Sequence, residues 1–223
     1  MQPRKATAIT RIKTNRSYKE LAGDFGEEKV YQILNVYVKR KIMVSKIITR
    51  FAYKTFKSSR EADMIFIYRK GVFVLEIKYW PGIIRGSSRD IEWQITNRGQ
   101  TKRYKSPFVQ LTKYIPDIQE MLGNKYPVYP LVVFTSDNVT AMNISNVINA
   151  NNIPFYFDRF SSSKLLTDQE INEAYRILEA RKANDNVSIG EHKKNAISSR
   201  KFEENKKSYK DVPAIIRNTR RKY

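Results

Sequence analysis

Three residues set the chemical question: Asp63, Glu76 and Lys78. They lie in a stretch where two apolar, β-rich runs, Ala-Asp-Met-Ile-Phe-Ile-Tyr-Arg and Val-Phe-Val-Leu-Glu-Ile-Lys, flank Lys70-Gly71. The pattern predicts a hairpin, with glycine supplying the positive φ of a tight turn. A loop of Lys70 and Gly71 would pair Arg69 with Val72, Ile65 with Glu76 and Asp63 with Lys78. Residues opposite one another share a face, as do residues two apart on one strand. Asp63, Glu76 and Lys78 then converge on one side of a largely apolar sheet, an arrangement that is costly unless they bind something. A divalent metal ion with a phosphate suits two carboxylates and an amine. A one-residue shift of register would send Asp63 to the opposite face. The plainer alternative is a surface ion pair of Asp63 with Lys78 and a solvent-facing Glu76, a kind of pair that contributes little.

Composition narrows the chemistry. The 223-residue chain has no cysteine, which excludes disulfides, thiolate zinc sites and cysteine nucleophiles. Its one histidine, His192, stands in a polar stretch, so no histidine cluster holds a metal. Any ion must take oxygen ligands, which suits magnesium or manganese. The formal charge of +20 implies a polyanionic partner, most often nucleic acid and less often an anionic membrane. Residues 1–22 carry a net +5 and residues 181–223 a net +8, which leaves +7 for residues 23–180. The C-terminal stretch has twelve apolar residues in 43, too few to fold alone, and reads as a flexible basic tail. The expected organisation is a basic extension over 1–22, a folded domain over 23–180 and a tail over 181–223. No apolar run approaches a membrane span, and the opening Met-Gln-Pro-Arg-Lys-Ala-Thr lacks the apolar centre of a secretory signal. A cytoplasmic protein is expected. The sequence leaves a homodimer open.

The elements that must position the three residues read as follows. Helical spacing of Phe25, Val30, Ile33, Leu34 and Val38 predicts a helix over 23–38, with Asp24, Glu27 and Glu28 in its first turn. Residues 42–55 read as one or two strands, followed by the hairpin and a short strand over 92–96. Residues 97–106 read as a basic loop carrying Arg98, Lys102, Arg103 and Lys105, able to grip a phosphate backbone. Ser106-Pro107 caps a helix reaching about Leu122, with a kink at Pro116. Leu131–Thr135 reads as a buried strand, 144–150 as a helical turn and Phe155–Phe157 as a strand. Thr167 and Glu170 form a capping box for a helix to Ala180.

That order, with Asp63 on the second strand and Glu76-Ile77-Lys78 on the third, resembles the PD-(D/E)XK nuclease superfamily. More closely, it is similar to the nuclease-related domain (NERD) family within it. The resemblance spans about residues 23–180. It rests on Gly26-Glu27 with Val30 and Leu34, on Asp63, on Gly71 through Lys78, on Gly82, Gly86 and Trp93, and on Pro107 with Gln110. Met64 and Tyr114 stand where the family often has histidine or another polar aromatic. The resemblance implies a restriction-endonuclease-like α/β fold, a mixed sheet built as helix, three antiparallel strands, helix and strand. It implies that Asp63 and Glu76 hold a magnesium ion with the carbonyl of Ile77, while Lys78 orients water and stabilises charge. Glu27 resembles the superfamily's additional acid; otherwise it is a first-turn glutamate complementing the helix dipole. Gln110 would touch phosphate or water. Trp80 and Trp93 could stack on bases, or pack in the core. The expected function is a metal-dependent nuclease hydrolysing phosphodiester bonds of DNA with little sequence preference. The alternatives are a nucleic-acid-binding module on the same fold with little or no turnover, and a scaffold whose basic ends bind other partners.

Overall fold

The computed structural model describes residues 18–56, 58–136 and 144–183, with side chains from residue 22 onward. Most of the expected N-terminal extension and C-terminal tail, His192 included, lies outside the described residues. Among the described residues, no helix is long and apolar enough to cross a membrane.

A five-stranded mixed sheet forms the centre, in the order β1-β2-β3-β7-β8. β1 (Ser45–Lys54), β2 (Ser59–Tyr68) and β3 (Gly71–Lys78) are antiparallel neighbours; β7 (Val128–Phe134) runs parallel to β3, and β8 (Val147–Asn149) parallel to β7. The antiparallel strands follow from near-continuous β-branched and aromatic runs. β3 and β7 are buried on both faces, as parallel strands usually are. α1 (Tyr18–Lys41) and α3 (Ile153–Arg159) cover one face. α2 (Pro107–Met121) and α4 (Asp168–Glu179) cover the other.

α1 begins earlier than expected and buries Val30, Leu34 and Tyr37 at three- and four-residue spacing. Phe25, expected on that stripe, is 70% exposed. Gly26 lets the helix approach the sheet: a Cβ there would lie 3.0 Å from Thr135 Oγ1 and 3.7 Å from Ile77 Cγ2. Ser106 accepts a hydrogen bond from the Phe108 amide at the start of α2, and α2 continues through Pro116. The capping box of Thr167 and Glu170 is formed in full at the start of α4.

A second, three-stranded antiparallel sheet lies between β3 and α2 in the chain: β4 (Ile83–Arg85), β5 (Glu92–Asn97) and β6 (Gln100–Lys105). The expected basic loop is therefore a hairpin. Arg98 and Gly99, with φ of 49° and 75°, make its two-residue turn, and β6 is an exposed edge strand. Gly86 lies flat against the Trp93 ring, leaving no room for a Cβ. Two further readings are corrected. The helical turn over 144–150 is β8 with a 3₁₀ turn at Ala150–Asn152. Phe155–Phe157 lies in α3, where Ile153 and Phe157 share the buried face one turn apart. Residues 42–55, expected to form one or two strands, hold the single strand β1. After α4, the chain crosses the outer edge of β1, where Ala183 N donates to Ala52 O at 2.7 Å and Lys182 Nζ to Thr49 O at 3.2 Å.

Candidate active site

The register of β2 against β3 differs from the expected one by two residues. Tyr68 pairs with Gly71 and Met64 with Leu75, so the turn is Arg69-Lys70. Gly71 follows the turn with φ 127°, and its missing Cβ leaves room for Pro127 O and the Tyr129 ring, each 2.9 Å from where a Cβ would sit. The glycine thus serves the docking of β7 against β3 as well as the turn. A two-residue shift preserves the alternation, so the candidate residues still meet. Continued one step beyond Met64–Leu75, the ladder sets Asp63 level with Glu76 rather than with Lys78.

That next rung is not formed, because the sheet forks there. Asp63 Oδ2 instead accepts a hydrogen bond from the Ile77 amide at 2.7 Å. The N–H and C=O of a strand residue point to the same side, so the Ile77 carbonyl also faces the fork. On the other flank the β1–β2 ladder skips Arg50 opposite Asp63, while Thr49–Met64 and Phe51–Ala62 both pair. Alternation breaks on both strands at this point: Ile48 and Phe51 lie in one core layer, as do Ala62 and Ile65. Arg50 has φ 48°, a left-handed conformation uncommon outside glycine.

Glu76 is 0% exposed. The Lys78 ammonium sits against its Oε1, and Oε2 has no hydrogen-bond partner among the described residues. Burial, then the nearby Asp63 carboxylate, pushes the Glu76 carboxyl up to about 8. Burial likewise raises Asp63 above the ordinary carboxylate range, against the pull of Lys78, the Ile77 amide and Arg50. Burial alone would lower the Lys78 ammonium, but Glu76 and Asp63 outweigh it and hold it above the usual lysine value. Lys78 therefore stays charged. Glu27 reaches the fork from α1: burial first and Asp63 second raise it to about 7, while Arg50, whose Nε lies 3.2 Å from Glu27 Oε2, lowers it. Arg50 also pairs with Asp24.

α2 closes the site from the other face. Gln110 lies beside the Tyr114 hydroxyl, whose proton is held more firmly than usual by burial and by the charges of Glu76 and Asp63. Tyr53 and Arg60 both bind Asp117, and Arg60 Nη1 donates to Lys113 O at 2.7 Å, fastening α2 to β1 and β2.

The structure thus brings together Asp63, Glu76, Ile77, Lys78 and Glu27, with Gln110 beside Tyr114. It does not gather the four basic residues on one face. Lys102 stands opposite Ile95, on the face that carries Trp93, whereas Arg103 and Lys105 stand opposite Gln94 and Glu92 on the other; Arg98 is at the hairpin tip. Trp93 is 0% exposed, packed against Phe108 and Phe134 with its indole N–H bound to Ser87 O, so it offers no stacking face. Trp80 is partly buried between Tyr104 and Phe134. Sequence reasoning missed Arg50, a charged residue within a β-rich run; nothing in its spacing sets it apart.

As a metal centre the donor set is spare. Among the described residues, no three His, Cys, Asp or Glu side chains group closely enough to hold an ion by themselves. Two carboxylates and a carbonyl fit magnesium or manganese, which keep several waters and take phosphate oxygens for the remaining positions. The unpartnered Glu76 Oε2 and the raised carboxyls are what such an ion would relieve.

Comparison with known proteins agrees with this fold. The nuclease-related domain (NERD) family matches residues 22–135, which include most of α1, the fork and α2. The chain belongs to that family. An uncharacterized protein of Bacillus anthracis is 23% identical to it over 163 residues, covering 71% of this chain and 76% of that one. No solved structure matches the chain. The positions on which the sequence resemblance rests acquire physical reasons here: Gly26 for helix docking, Gly71 for β7, Gly86 for Trp93, and Asp63 with Glu76-Ile77-Lys78 for the fork.

Proposed function

We propose that this protein is a metal-dependent nuclease that hydrolyses phosphodiester bonds of DNA with little sequence preference. The observation that carries the reading is the buried Glu76 carboxylate, short of partners, beside Asp63 and a protonated Lys78 at the fork of the sheet. Asp63, Glu76 and the Ile77 carbonyl would hold a magnesium or manganese ion. When bound, that ion supplies the positive charge that polarises a phosphate and makes water a better nucleophile. Lys78 does not serve as the base, because its carboxylate neighbours keep its proton on. It orients the attacking water and stabilises charge developing on the phosphate oxygens. Tyr114, beside Gln110, lies near enough to feel the charges of Glu76 and Asp63. The excess of positive charge supports binding through the phosphate backbone, which carries no sequence preference of its own.

Purified protein is expected to nick circular DNA with magnesium and to stop when a chelator is added. Asp63→Asn and Lys78→Ala should each lower the rate by at least about a hundredfold. Cleavage that persists equally in both variants would show the activity to be foreign. One observation favours a second reading, a binding module without turnover: no three metal-binding side chains are gathered among the described residues. That reading expects salt-sensitive DNA binding that survives chelation and both substitutions.

A further inference from the structure

Arg50 has no part in the reading above, yet it occupies the most unusual backbone position near the site. Strict alternation from Ile48 would aim it into the layer beneath α2. The left-handed residue reverses that, as a bulge re-aims a side chain. Its guanidinium lies instead against α1, where it meets Asp24 and Glu27 together. Backbone strain of this kind persists where the surroundings over-determine it, and it gathers at functional sites. The docking of α1 leads to the same place: Gly26 sits against Ile77, and Ile77 is the residue whose amide Asp63 holds. A planar guanidinium can bridge two carboxylates at fixed geometry; an ammonium is a point charge.

We propose that Arg50 is a positioning residue: the left-handed kink in β1 turns its guanidinium onto α1 and holds the Glu27 carboxylate at the fork beside Asp63. This rests on the metal-dependent reading of the site. Its test is the affinity of the full chain for manganese, measured by electron paramagnetic resonance without nucleic acid. Wild type is compared with Arg50→Ala, Arg50→Gly, Arg50→Lys, Glu27→Gln and the Arg50→Ala/Glu27→Gln double variant. Glycine accepts the positive φ, so Arg50→Gly keeps the fold while removing the guanidinium. Arg50→Ala and Arg50→Gly are each expected to weaken binding about tenfold, as loss of an outer partner that orders a metal site does. Arg50→Lys should fall between them and wild type. The double variant should be no weaker than Glu27→Gln alone, because Arg50 acts through Glu27. Wild-type affinity in Arg50→Gly would assign the kink a backbone role only and overturn the proposal, as would losses that add in the double variant. If wild type binds manganese and Arg50→Ala binds it equally, the proposal alone falls. A wild type that binds none removes the nuclease reading and this proposal with it.

Discussion

A glutamate with no exposed surface, set among valine, leucine and isoleucine in β3, destabilises the strand it occupies. The cost appears as retained protons. The carboxyl of Glu76 is pushed up to about 8 and that of Glu27 to about 7, both from 4.5. The fold therefore favours their protonated forms. Their contribution to stability is fully present below the unfolded value and is lost as pH rises through about 7 to about 8. The chelated protein should melt at progressively lower temperature between about pH 5 and about pH 9, and manganese should recover most at the alkaline end, where the ligands have already lost their protons. Glu76→Gln, which copies the protonated acid in shape, should flatten much of that slope. Calorimetry across this range checks both outcomes. A melting temperature that climbs with pH would mean the two carboxyls are not buried as described.

At the scale of elements, what was legible followed the periodicity. The α4 helix was readable because its capping box and buried stripe agree, and β3 because its run is uniformly apolar around one acid. The shared location of Asp63, Glu76 and Lys78 was readable because an even shift of register leaves alternation intact. The turn was misplaced because Gly71 answers to β7, a tertiary neighbour, as much as to the hairpin. β6 read as a loop because an exposed polar edge strand has no apolar alternation to display. The fork and Arg50 were not legible, since the kink has no glycine or proline to mark it. The three-stranded sheet offers a test of packing apart from the acidic site. Gly86→Ala would drive a methyl group into the Trp93 ring. It should destabilise the protein by about 1–3 kcal/mol, as overpacking does. Urea unfolding followed by tryptophan fluorescence would measure that loss. Manganese affinity of the folded protein should be unchanged; a parallel loss of both would mean the second sheet supports the fork directly.

For the molecule as a whole, the proposed function turns on charge. Residues 181–223 carry a net +8 of the chain's +20. Backbone binding displaces condensed counterions, so affinity for DNA should fall steeply between about 50 and about 200 mM salt. Deleting residues 184–223 should make that dependence shallower by several units of logarithmic slope. Fluorescence anisotropy with a labelled duplex would show it, and an unchanged slope would remove these residues from the interface. The strap at Lys182 and Ala183 adds a constraint of place. It fastens the exit of the folded domain to the outermost strand within a few residues of Arg50, so the basic chain beyond it starts out beside the acids. Under the proposed function, a polyanion bound by residues 184–223 would be held near that point of attachment, and the concentration the acids experience would be a local one.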